Sequence, residues 1–273
     1  MRKSFLLTLF SCLCLALPAQ DFGLWTGLSV EKDFGKKFSL EAGADYRAEH
    51  NATSAARWDV GFGGSYKPLK WLKVGAGYVF ITDKYFRTFD PHYKESTDAE
   101  GNTIYRQNGY NSDHPFWRNK HRIYLDVQGK HTFGRFSLTL RERYQMTRFV
   151  ADSTLSDKYR GIAPDGYENQ YGGYAYDRTD WDYKKAKTRH YLRSRLQLEY
   201  NIRHCPVTPY ASYEMSNNLT DAFAVEKHRI AVGADWKVSK QHRIGLTYIY
   251  QTGTDDDPED KIHAIEVSYK FKF

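Results

Sequence analysis

The chain has 273 residues with 40 Lys and Arg against 33 Asp and Glu, a net charge of +7, and 16% of it is aromatic although mean hydropathy is a polar −0.71. So mild a basicity is no argument for nucleic acid, and no nucleic-acid partner is expected. Beyond the amino-terminal segment nothing offers the ~18 consecutive apolar residues of a spanning helix, so any membrane crossing has to be made by strands.

Taken in chain order, Arg2 and Lys3 precede an apolar stretch from Phe5 to Leu17, followed by Ala19 before Gln20 and Asp21. This is the pattern of a secretory signal peptide over 1–19, cleaved after Ala19. Cys12 and Cys14 fall inside it without the small residues a lipidation motif needs. Its removal leaves Cys205 as the one cysteine and lowers the charge from +7 to +5, so no intrachain disulfide can hold the exported fold.

From there a periodicity of two recurs in segment after segment, predicting one all-β domain over 20–273. The first segments are Phe22 to Glu31, Phe38 to Arg47, Arg57 to Tyr66 and Leu72 to Ile81, joined by turns such as Lys67-Pro68-Leu69-Lys70. In the second, Leu40, Ala42, Ala44 and Tyr46 share one face, and Glu41, Asp45 and Arg47 the other. Polar residues 82–117 intervene before Lys120 to Gln128 and Phe136 to Gln145, and residues 148–187 before Arg189 to Tyr200. Val207 to Met215, Glu226 to Trp236, His242 to Gln251 and Ile262 to Phe273 complete the series.

Short connections alternate with long ones, and the last strand is amphipathic and ends on Phe273. Both features predict an antiparallel up-and-down transmembrane β-barrel of roughly ten to twelve strands in the outer membrane of a Gram-negative bacterium. Turns near 35, 68, 133, 204 and 239 would be periplasmic, and the long loops near 82–117 and 148–187 extracellular. The expected partners are the lipid bilayer and lipopolysaccharide, together with the barrel-assembly machinery, engaged through the strand ending in Phe273. Eleven segments can be counted where an even number is expected, so either one strand hides in a long loop or the first segment is not an ordinary barrel strand.

The polar faces supply the first candidate site. Arg122, Arg141, Arg143, Arg193, Arg195, Arg229 and Arg243 would line the lumen with Asp59, Asp126, Glu199, Asp235 and Glu266, basic side chains outnumbering acidic ones. Such a lumen either admits anions selectively or is filled by strand-to-strand ion pairs that leave no pore. A second candidate is the aromatic stretch holding Tyr167, Tyr171, Tyr174, Tyr176 and Trp181, whose rings could bind a glycan or protein outside the cell or belong to an interfacial girdle. Lipid hydrolysis would need Ser and His within hydrogen-bonding reach on one face. His190 and Ser194 share a face but stand four residues apart, about 13 Å along a strand, so no catalytic residue is assigned. The carboxylates of Asp255, Asp256, Asp257, Glu259 and Asp260 lack the spacing of a calcium loop, and neither a metal nor a cofactor is expected.

The segment Tyr191-Leu192-Arg193-Ser194-Arg195-Leu196-Gln197-Leu198-Glu199-Tyr200-Asn201, with Pro209-Tyr210, Glu214, Trp25, Glu31-Lys32 and Leu72-Lys73-Val74-Gly75-Ala76-Gly77-Tyr78, resembles a family of Bacteroidota outer-membrane barrel proteins of unknown function. The resemblance implies location and fold and carries over no catalytic residue. The expectation is therefore a non-enzymatic narrow channel or structural surface barrel, with a lipid-modifying enzyme and a ligand receptor as alternatives.

Overall fold

The computed structural model describes residues 22–85, 88, 93–97, 99–107, 109–161, 174–253 and 261–273. The expected signal peptide, Tyr167, Tyr171 and the 255–260 carboxylates lie outside the described residues.

Regular structure among the described residues is entirely β. The strands are β1 (Phe22–Phe34), β2 (Phe38–Glu49), β3 (Ser54–Leu69), β4 (Leu72–Tyr85), β5 (Tyr93–Thr97), β6 (Thr103–Gln107), β7 (Tyr110–Asp113) and β8 (Phe116–Phe133). They continue with β9 (Phe136–Phe149), β10 (Asp152–Gly161), β11 (Tyr174–Lys184), β12 (Lys187–Tyr200), β13 (Val207–Asn218), β14 (Ala224–Lys237), β15 (His242–Thr252) and β16 (Lys261–Lys272). Eleven of them close into a barrel in the order β1-β2-β3-β4-β8-β9-β12-β13-β14-β15-β16.

The odd number is explained at the closure. β1 pairs with β16 in parallel, from Phe22 opposite His263 to Glu31 opposite Lys272, while the other barrel pairs given residue by residue are antiparallel. A parallel ladder is slightly the weaker kind, and here charges reinforce it: Lys272 reaches Glu31 and Asp33 at 2.8 Å each, and Lys270 reaches Glu41 at 2.7 Å. The Phe273 amide donates to the Glu31 carbonyl at 3.0 Å.

Strands β3, β4, β8 and β9 run several residues beyond their sequence-predicted ends, because the sequence reading stopped where clear apolar alternation stopped. The stretches 82–117 and 148–187 also contain strands: β5 pairs with β6, and β7, β10 and β11 form a three-stranded sheet. The chain divides into two compact units, described separately: one holds the described residues up to Val79, Ile123–Gln145 and His190–Phe273, the other Phe80–Arg122 and Met146–Arg189.

In the first unit the outer surface is apolar and banded. Leu28, Leu40, Val60, Leu125, Leu140, Leu196, Val232 and Val267 are all exposed. Aromatic and imidazole pairs mark one end of this aliphatic belt: Tyr46 beside Trp58, and hydroxyl-to-Nδ1 contacts of 2.7 Å in each of Tyr144–His190, Tyr213–His228 and Tyr248–His263. Phe38–Tyr66, Phe136–Tyr200 and Phe271–Phe273 mark the other, short-turn end. Eight to ten residues separate the two bands, as from Trp58 to Tyr66 and from His190 to Tyr200. That is roughly 26–33 Å along a strand, or roughly 20–25 Å in height at a tilt of ~40°. The turns of the short-turn end are tight: in Phe133-Gly134-Arg135-Phe136, Gly134 has φ +59°, the positive value a two-residue hairpin needs at its first central position.

Candidate functional site

Inside the first unit, the wall contributed by β1 to β4 has few side chains. Its inward positions include Gly27 on β1, Gly43 on β2, Gly61 and Gly63 on β3 and Gly75 and Gly77 on β4, interspersed with Ser29, Ser39 and Ser65. The wall from β8, β9 and β12 carries long ones. Tyr124 of β8 lies where a Cβ on Gly63 or Gly77 would have to sit, so those two positions admit no larger residue while the ring is in place. The Arg143 guanidinium lies 4.0 Å from the centre of that ring and binds Asp126 through both carboxylate oxygens, at 2.6 and 2.7 Å.

Deeper in, the lumen is filled. Glu214 of β13 is 6% exposed and accepts from Arg141 at 2.6 Å and from Arg193, which also donates to Gln145 at 3.2 Å. Arg229, opposite Glu214 in register, donates to Gln251 at 3.0 Å. Its guanidinium lies 5.3 Å from the centre of the Trp25 ring, and that of Arg47 lies 4.0 Å from it. Asp59, 7% exposed, accepts from Arg57 at 2.7 Å. Dehydrated charges need partners, and this layer of carboxylates, amides and an indole ring meets that need while occupying the bore.

On the short-turn side of that layer lies a cavity of about 500 Å³ that begins at Ser39, Ser65 and Gln128 and reaches Asp45, Asp59, Arg141 and Arg195. It occupies the room the glycines leave. Asp45 stands opposite Asp59 in register and is exposed to the cavity. Arg195, Lys73 and Glu266 also line it, and these three make no hydrogen bond or ion pair among the described residues. The buried Nε of Arg141 is likewise without a partner.

Among the sequence-predicted lumen residues, Arg141, Arg143, Arg195, Asp59, Asp126 and Glu266 thus meet around one cavity, and Arg193 and Arg229 belong to the packed layer beyond it. Glu199 pairs with Lys130 at 2.8 Å. Arg243 and Asp235 are exposed on inward positions near the short turns. Arg122 belongs to the second unit, where it is 8% exposed and donates to Thr147 at 3.1 Å. Sequence reasoning passed over Glu214, the hub of the ion pairs, and Tyr124 at the cavity. Their parity was readable, since Glu214 follows Ser212 and Tyr210 on one face of β13, but no short motif marks a hub whose partners come from other strands.

On the outer face Ser194 donates to Glu142 at 2.6 Å and His190 meets Tyr144 at 2.7 Å, so serine and imidazole are held by different partners. In the second unit Tyr110 stacks on Tyr159 at 4.6 Å and meets the edge of Tyr174 at 5.0 Å, and Tyr159 meets Tyr176 at 6.0 Å. Two of the candidate ligand tyrosines therefore pack on their own sheet, whereas Trp181 is 72% exposed. Also here, Asp157 accepts from Thr179 at 2.6 Å and contacts His114 at 3.1 Å, and these two partners hold its carboxyl below the usual carboxylate range.

A family described as "Protein of unknown function (DUF2490)" matches residues 22–262. The chain belongs to the DUF2490 family. The match begins with β1 and ends inside β16, so this DUF2490 chain takes in every other barrel strand whole. Among solved structures the chain is similar to the beta domain of the Bordetella autotransporter Brka, with 12% identity over 88% of this chain and 86% of that one and a TM-score of 0.52, a likeness of fold alone. The anion-selective porin from Comamonas acidovorans is 8% identical over 91% and 96% of the two chains, but at a TM-score of 0.24 that likeness carries no argument. No curated protein matches the chain in sequence.

Proposed function

We propose that this DUF2490 chain is an integral outer-membrane β-barrel, its short turns in the periplasm, and that it is a non-enzymatic surface barrel with a plugged lumen rather than an open pore. The observation that carries the membrane reading is the exposed aliphatic belt between two aromatic bands on a closed barrel with a charged interior. Apolar side chains are exposed there in a continuous ring, which only hydrocarbon can cover favourably, and the interfacial rings sit at the heights where headgroups begin. The plug reading rests on Trp25, Glu214 and the arginines packed around them. Lipid and lipopolysaccharide are then the outward partners, and β16 with its terminal Phe273 is the strand offered to the assembly machinery.

Fractionation tests the location: the processed chain should require detergent for extraction and sediment with outer membranes, and recovery in the soluble fraction would overturn the reading. Planar bilayers test the plug. The wild-type chain should give no steady conductance, and Trp25→Gly should raise it; steady wild-type conductance would restore the channel.

A further inference from the structure

We infer that the short-turn-side cavity is a binding site for a small zwitterion, a molecule of the amino-acid or short-peptide class with one carboxylate and one ammonium group. The inference rests on the barrel reading only for the side from which the ligand arrives, the periplasm. The site itself is defined by four observations.

The first is room: about 500 Å³ is enough for a solute of this size, and the space exists because the inward positions of β1 to β4 are so largely glycine and serine. Next, the charges at its inner end are of both signs and lie on different walls. Asp45 is on β2, opposite Gly27, and Glu266 is on β16, opposite Trp25, the next inward residue of β1. Arg195 is on β12, five places from β2 in a ring of eleven and so as far from it as the barrel allows, with Arg141 on the neighbouring β9.

Third, these charges are available. Elsewhere in the lumen cations have carboxylates at hydrogen-bonding distance, as Arg143 has Asp126 and Lys272 has Glu31. Arg195 and Glu266 have none among the described residues, and Arg141 keeps a buried N–H unused. A ligand carboxylate would meet the Arg195 guanidinium, with Arg141 lining the same wall. A ligand ammonium would meet Glu266, with the hydrogen-bonded Asp45–Asp59 carboxyl pair beside it. Finally, the short-turn end of the cavity is lined by Ser39 and Ser65, hydrogen-bonded to each other at 2.7 Å, by Lys73, and by Glu41 paired with Lys270 at 2.7 Å. A simple anion would face Glu266 and a simple cation would face Arg195, whereas a molecule bearing both charges satisfies the two walls together.

Calorimetric titration of the full chain in detergent with alanyl-alanine, N-acetyl-alanyl-alanine and alanyl-alanine amide tests this. Alanyl-alanine should bind saturably, with each blocked form weaker by about tenfold or more, the scale of one lost charge-assisted hydrogen bond. Arg195→Gln should erase the preference for a free carboxylate and Glu266→Gln that for a free ammonium, both variants keeping the heat-modifiable gel migration of a folded barrel. Absence of saturable binding, equal binding of all three compounds, or folded variants that retain both preferences would overturn the proposal. Should either variant misfold, Ser65→Cys in a Cys205→Ser background reads the same site: alanyl-alanine should slow modification of the new thiol by a methanethiosulfonate reagent, and unchanged labelling would overturn it. None of these readouts depends on location or conductance, so a failed site and a failed membrane reading are told apart.

Discussion

The two walls of the lumen in the first unit are built from the same alternating strands and solve opposite problems. On β1 to β4 the inward positions run through Gly27, Gly43, Gly61 and Gly75 and leave space; on β9, β12 and β13 they run through Arg141, Arg193, Arg195 and Glu214 and fill it. An empty wall costs buried contact, and a charged wall costs dehydration that has to be offset by pairing. The protein uses one against the other: the Tyr124 ring of the neighbouring β8 lies over Gly63 and Gly77 of the empty wall. What remains uncovered is the cavity. An open space in a barrel of this strand number is therefore not a by-product of its circumference but follows from which wall carries glycine.

The sharpest way to break the contrast is at the hub of the full wall. Glu214→Ala removes the common partner of Arg141 and Arg193 and should cost about 3–5 kcal/mol, read as a lowered unfolding midpoint in urea from detergent or lipid. Next in size is the empty wall: Gly77→Val forces the Tyr124 ring out of its seat and should destabilise by about 1–3 kcal/mol, while Tyr124→Ala in the same background should recover part of that loss, measured by thermal unfolding. A smaller effect is expected at the seam, where Lys272→Gln removes pairs to Glu31 and Asp33 that are partly solvent-accessible; a change of about 0.2–1 kcal/mol should appear and shrink in high salt.

The second unit gives a contrast without an energy attached. Asp157 is held below the usual carboxylate range by Thr179 and then His114, so the native sheet binds fewer protons at this residue than the unfolded chain does. Its contribution is complete above the ordinary carboxylate range and is lost as pH falls through the lowered value. An NMR titration of the Asp157 carboxyl should show that direction, with Thr179→Val moving it back toward the ordinary value; a titration unaltered by that substitution would remove the hydrogen bond as the cause.

Much of this was legible in the chain itself. Alternation between apolar and polar side chains marks the barrel strands from Phe22 to Phe273, and because that period is two, it also sorts most side chains to the outer or inner face: Leu125 out and Asp126 in, Leu196 out and Arg195 in. The short turn at Gly134 could be read as well, since that glycine punctuates the alternation locally, whereas Lys67, Pro68 and Leu69 fall inside β3 and the turn comes at Lys70 and Trp71. Local sequence also yields the count of eleven, yet it could not resolve the conflict with an even number, because whether β1 meets β16 in parallel depends on residues 241 positions apart in sequence.

What only the tertiary structure decided is partnership across the ring. Parity says that Glu214, Arg141 and Arg193 point inward; it cannot say that they converge while Arg195, two residues from Arg193, makes no hydrogen bond or ion pair among the described residues. Nor can it say that the polar stretches 82–117 and 148–187 form strands of their own, because β7, β10 and β11 draw their order from pairing with one another, as Tyr159 with Tyr110 and Asp152 with Lys184, rather than from an amphipathic face. The direction a side chain takes is a local property of a pleated strand and is written in its neighbours. The group it meets inside a closed barrel is set by stagger and curvature, which belong to the ring as a whole.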